Sequence, residues 1–117
     1  MQLGFETHGD VQIIRVGEAK LTYPILASFF SEVRELVEKG CSKLVIDLAL
    51  VTYIDSASIG CLMDIHRLMQ GEHGGVRLTG LQPRVETMIS MTGLHKIIAL
   101  DATEQDALAA FAGGENA

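Results

Sequence analysis

The stretch from Lys43 to Thr79 constrains the fold most, because it reads as two strands joined through one long helix. Lys43-Leu44-Val45-Ile46-Asp47-Leu48 is an apolar run of strand length, and Ile59, Leu62, Met63, His66 and Met69 then recur at helical spacing. The helix is expected to end near Gln70, with residues 71–75 as a loop before a strand from Val76 to Thr79. Such a β-α-β unit connects in the right-handed sense, so this stretch commits the chain to a sheet with helices packed on it.

The flanking segments extend that plan. Leu3 to Thr7 and Val11 to Val16 read as a hairpin turning at His8-Gly9-Asp10. Pro24 opens a helix after Thr22 or Tyr23; Ile25, Leu26, Phe29, Phe30, Val33, Leu36 and Val37 form its apolar face, and Gly40 ends it. Pro83 starts another helix through Met91, with Val85, Met88 and Ile89 toward the core, Met91 a further candidate, and Gly93 as its stop. A strand at Ile97 to Leu100 and a last helix from about Thr103 to Phe111 complete the order β β α β α β α β α. The expected architecture is α/β: a mixed central sheet of about four to five strands with about four helices. At 117 residues with 48% hydrophobic content, the chain is expected to be one domain over residues 1–112 with a frayed tail at 113–117.

Val51-Thr52-Tyr53-Ile54-Asp55-Ser56-Ala57-Ser58-Ile59-Gly60 carries an acid and a hydroxyl into the first turn of the central helix. The first four N–H groups of a helix lack internal partners, and the aligned dipoles leave that end partly positive. Either Asp55 or Ser56 can cap it. Cys61, Ile65 and Leu68 form a second apolar stripe beyond the core-facing one, so the helix is either buried on several sides or offers a docking face beside the Asp-Ser turn.

A formal charge of −6 and a pI near 5.0 argue against a phosphate-backbone partner, which needs a basic face. Met1-Gln2-Leu3-Gly4-Phe5-Glu6 has neither a basic nor an apolar leader region, and no run approaches the ~18 apolar residues of a membrane span. A soluble, cytoplasmic monomer without direct membrane insertion is the expectation. Cys41 and Cys61 show no CxxC spacing and are expected to be reduced and structural.

Two ordered segments resemble the signatures of the STAS domain of anti-sigma factor antagonists. The first is Asp47-Leu48 followed by Val51-Thr52-Tyr53-Ile54-Asp55-Ser56 and Ile59-Gly60; the second is Thr79-Gly80-Leu81-Gln82-Pro83-Arg84-Val85 with Thr92-Gly93-Leu94. The resemblance covers nearly the whole chain and implies the STAS fold, no enzymatic activity and no cofactor. It also implies that Ser56, directly after the aspartate, is a phosphorylation site in a partner switch. The unphosphorylated antagonist would bind an anti-sigma factor that is also a serine kinase, and so release sigma; phosphorylation would eject it, and a PP2C-type phosphatase would reset the circuit. Asp55, Asp47 and Ser58 would support the phosphosite turn, and Ala57, Cys61, Ile65 and Leu68 are candidates for the partner surface. Ala57-Ser58 stands where Ser/Thr-Gly is usual, so Ser58 can cap locally, hinder the kinase or act as a second acceptor; local capping ranks first because serine readily bonds nearby backbone. Gly17-Glu18-Ala19-Lys20-Leu21 also departs from the usual Gly-Glu-Leu-Asp. The alternative within the family is a non-switching adaptor, such as an accessory subunit of a lipid-transport ABC complex, with Ser56 only a cap.

Other chemistry has weaker support. A serine hydrolase lacks its Gly-x-Ser-x-Gly elbow, and His66 lies about 15 Å from Ser56 along the helix at 1.5 Å per residue. His8, His66, His73 and His95 have no metal-ligand spacing, and His73-Gly74-Gly75 is no P-loop.

Overall fold

The computed structural model describes residues 1–113; the C-terminal tail expected to fray lies, but for Gly113, outside them. Leu3–His8 (β1) and Val11–Val16 (β2) pair antiparallel, and Gly9 at φ +61° provides the left-handed turn between them. Lys20–Leu21 (β3) leads into Tyr23–Glu38 (α1), which has Pro24 in its first turn. Lys43–Asp47 (β4), Tyr53–Ile54 (β5), Ser56–Gly71 (α2) and Gly75–Thr79 (β6) form the central crossover unit. Pro83–Thr92 (α3), Ala99–Asp101 (β7) and Glu104–Ala112 (α4) follow. The five-stranded sheet runs β1-β2-β4-β6-β7, parallel except for the β1–β2 pair.

Period-two alternation divides the sheet's side chains between two unequal layers. Ile14, Val16, Leu44, Ile46 and Leu78 share a core with Phe29 and Val33 of α1, Leu62, Ile65 and Met69 of α2, and Val85 and Ile89 of α3. The intervening Val11, Ile13 and Val45 face the other way and are covered by Ala107 and Phe111 of α4. Three helices therefore lie on one face and one on the other, which leaves the rim of the α4 face open around its N-terminus.

Three details depart from the sequence expectation. β3 and β5 pair with each other in a separate two-stranded parallel sheet, too short to show any periodicity. The strand expected at Ile97–Leu100 begins later: Gly93 at φ +79° turns the chain into a 3-10 turn at Leu94–Lys96, and the Leu94 carbonyl takes the N–H groups of both Ile97 and Ile98. Met91 falls on the solvent side of α3, because the buried positions are Val85 and Ile89.

Gly74 lies directly against the Ser42 backbone where the chain enters β4 and β6. A Cβ there would fall 1.6 Å from the Ser42 carbonyl oxygen, which accepts the Gly75 N–H at 2.9 Å. Gly74→Ala is expected to lower unfolding free energy by about 2 kcal/mol, the scale of a forced backbone shift. Urea unfolding checks this, and an unchanged midpoint would mean that the Ser42 strand entry moves at little cost.

Candidate functional site

The Asp-Ser turn is built where the small β3–β5 sheet meets the starts of α1 and α2. Thr52 and Tyr53 N–H groups donate to the Ala19 carbonyl at 2.8 and 3.2 Å, and buried Ile54 anchors β5 beside Leu21. Asp55 then leaves the strand in extended conformation as the N-cap of α2. Its Oδ1 accepts the Ser58 N–H at 2.9 Å, while its Oδ2 accepts the Tyr23 N–H at the start of α1, at 3.0 Å. One carboxylate thus holds two helix N-termini together. The Ser58 hydroxyl and these backbone N–H groups favour the charged form and hold the Asp55 carboxyl below its ordinary range.

Ser58 closes the reciprocal half of the capping box. Its Oγ accepts the Asp55 N–H at 3.1 Å and lies within hydrogen-bond reach of the Leu21 carbonyl and, at 2.7 Å, of Asp55 Oδ1. It is 0% exposed. Ser56, two residues earlier and the first residue of α2, is exposed. The two serines of one turn therefore have opposite environments: Ser58 is part of the scaffold and Ser56 faces solvent.

Beside Ser56, the N-terminal halves of α1 and α2 bound an apolar groove of about 480 Å³ lined by Tyr23, Pro24, Phe30, Ala57, Gly60 and Cys61, among others. Tyr23 is 74% exposed, and Tyr53 is exposed with Arg84 over its ring at 5.7 Å. Of the four residues expected on a docking face, Ala57 and Cys61 line this groove, whereas Leu68 is half-buried against the core. Ile65 is a correction: it is 0% exposed, because the buried stripe of α2 runs Ser58, Leu62, Ile65, Met69 and takes this residue inward. Burial, with Asp64 adding to it, pushes the Cys61 thiol up to about 11, and burial also raises Cys41; both cysteines are free. Neither is primed as a thiolate.

Asp47 does not reach this turn. As the last residue of β4 it is in register with Arg15 and Thr79, on the α4 face of the sheet, whereas α2 covers the opposite face. Its Oδ1 accepts the Ala49 N–H at 2.8 Å, so it shapes the loop after β4. Its carboxyl lies beside Glu104, which Arg15 grips through Nε at 2.7 Å and Nη2 at 2.8 Å. Burial and the Glu104 carboxylate raise Asp47 to about 6, while Arg15 holds Glu104 low, near 2. A carboxyl raised on folding binds more protons in the native state between about pH 4 and 6, so its contribution to stability falls as pH rises through that window. Asp47→Asn, which keeps an acceptor for Ala49, is expected to raise stability at pH 8 by about 1 kcal/mol after solvent screening and to flatten the slope between pH 4 and 6. Denaturant midpoints across pH measure it; an unchanged slope would show that the pair does not repel.

Among the described residues no helix is long and apolar enough to cross a membrane, and no cluster of three or more His, Cys, Asp or Glu is disposed to hold a metal. Fold and turn together define a small mixed α/β domain that presents a solvent-facing serine on a doubly capped helix start. The STAS-domain family model matches residues 2–107, and the chain belongs to that family. It is 24% identical over 109 residues to the anti-sigma F factor antagonist of Paenibacillus polymyxa, covering 92% of each chain. It also superposes with a TM-score of 0.84 on an anti-sigma factor antagonist from Mycobacterium paratuberculosis, 25% identical over 93% of this chain and 92% of that one. SpoIIAA, an anti-sigma factor antagonist, shares the fold in its unphosphorylated form with a TM-score of 0.81, at 18% identity over 96% of this chain and 97% of that one. In its phosphorylated form the TM-score is 0.71, at 16% identity over 94% and 99%.

Proposed function

We propose that this chain is an anti-sigma factor antagonist whose grip on an anti-sigma factor is switched by phosphorylation of Ser56. The observation that carries the reading is the division of labour in the turn: Ser58 and Asp55 hold the helix start, while the Ser56 hydroxyl lies in solvent without a hydrogen bond among the described residues. The antagonist relatives supply the partner class. A phosphoryl group adds about −1.5 to −2 charge and three acceptor oxygens. At a helix N-terminus the fold tolerates that charge, whereas a partner packed over Ser56 must desolvate it next to Asp55.

The unmodified surface suits an apolar partner segment, since the α1–α2 groove is lined by Ala57, the next residue after the serine, and the rings of Tyr23 and Tyr53 are exposed. In this reading the partner is also the serine kinase, and a PP2C-type phosphatase restores the binding form. Mass-spectrometric mapping of phosphate on protein recovered from its own cells tests the assignment. Phosphate on Ser56, lost in Ser56→Ala with partner binding retained, is the expected result. Phosphate on Ser58 alone would overturn it, and an unmodified turn under several growth conditions would favour a fixed STAS adaptor.

A further inference from the structure

A second cleft, of about 640 Å³, opens on the α4 face at the carboxyl ends of the parallel strands, where α/β sheets commonly bind ligands. The charged and titratable groups facing it are Glu6 and His8 from β1, Arg15 from β2, Asp47 from β4 and Glu104 from α4. Arg15 is already committed: its Nη2 also meets Glu6 at 2.8 Å, besides the two contacts to Glu104. Asp47 keeps its Ala49 contact and lies within hydrogen-bond reach of the Glu104 carboxylate, with which it has no attractive interaction once both are ionised. A second, independent observation comes from Thr79, which lines the same cleft and shares the Asp47 side of the sheet by register. Thr79 is 1% exposed, and its Oγ1 has no hydrogen-bond partner among the described residues, a costly state for a buried hydroxyl.

We propose that this cleft is a binding site for a small primary-ammonium ligand, held by the Asp47 carboxylate with the Thr79 hydroxyl as its floor. A primary ammonium carries three donors and no acceptor, and here it would meet the Asp47 carboxylate and an unused hydroxyl oxygen. Three carboxylates facing one guanidinium and the His8 ring favour a cation over an anion. A divalent metal fits worse, because Arg15 occupies the Glu104 oxygens and the described residues offer no three-ligand acidic cluster. The site is separate from the Ser56 turn, so it neither requires nor supports the phosphorylation reading.

The test is titration of the isotopically labelled full chain at pH 8 with putrescine, and in parallel with uncharged 1,4-butanediol, following backbone amide shifts. Saturable shifts at Gly80, Ala102 and Thr103 with putrescine and none with the diol are expected. Asp47→Asn should weaken binding by about tenfold, the scale of one charge-assisted hydrogen bond, and acidification to pH 5 should weaken it similarly as Asp47 takes up a proton. Thr79→Val conserves shape; it should fold with equal or higher thermal stability in the absence of putrescine and lose the stabilisation that putrescine gives the parent. Equal responses to diol and diamine, shifts indifferent to Asp47→Asn, or a Thr79→Val variant that is stabilised by putrescine as strongly as the parent would each overturn the proposal.

Discussion

Replacing Asp55 by alanine is expected to lower folding stability by about 3 kcal/mol, more than a single lost cap. An N-cap exchange for alanine costs up to about 2 kcal/mol, and Asp55 serves α2 in that role through Ser58. The same substitution strips the Tyr23 N–H of its partner at the start of α1, which adds about 1 kcal/mol for a lost hydrogen bond. Because the Asp55 carboxyl titrates below its ordinary range in the fold, its contribution is present above the unfolded value and is lost as pH falls through the lower, folded one. Urea unfolding of the parent and Asp55→Ala should therefore differ at pH 7 and converge in strong acid. Asp55→Asn, which retains one of the two acceptor oxygens and sets an NH2 against the other N–H, should recover only about half of the loss. A neutral Asp55→Ala would show that the two helix starts are held by packing alone.

Phosphorylation of Ser56 should change partner binding far more than it changes the fold. Turning a complex from 99:1 bound to 1:99 needs about 5.5 kcal/mol of differential free energy. In the proposed complex, a desolvated phosphate against the partner surface, together with lost contacts around Tyr23 and the groove, would be of that order. Ser56→Asp carries one charge and lacks the tetrahedral oxygens, so it should weaken binding by only about 2 kcal/mol, roughly thirtyfold. Its unfolding free energy should stay within about 0.5 kcal/mol of the parent, since the residue is exposed and an acid suits a helix N-terminus. Calorimetric titration with the cognate anti-sigma factor, beside urea unfolding of the same samples, separates the two effects. Parent-like binding by Ser56→Asp and by the phosphorylated chain would remove Ser56 from the interface.

Much of this site was legible because its signals are local. Asp55 and Ser58 are capping residues at the correct spacing, and Pro24 and Pro83 stand at helix starts where a missing N–H costs nothing. Ile65 was misread because α2 is apolar around most of its girth, so hydrophobicity alone did not reveal which stripe faced the sheet. The β3–β5 pair escaped notice because two residues carry no period, and its bonds join segments far apart in the chain. The resemblance groups Asp47 with the Ser56 turn, yet strand alternation puts it on the other side of the sheet.

By itself the sequence determined the order of the five main-sheet strands and the four helices, their punctuation by glycine and proline, and the hydroxyl-bearing helix start, since each depends on neighbours within a turn or two of the chain. Only the tertiary structure decided which serine is exposed. Ser58 turns inward because the Leu21 carbonyl and the Asp55 main chain, brought together by strand pairing, surround it, while Ser56 remains outside that contact. The same holds for the second cleft: Arg15, Asp47, Thr79 and Glu104 meet only because parallel register aligns three strands beneath the start of α4, a juxtaposition that no local pattern encodes.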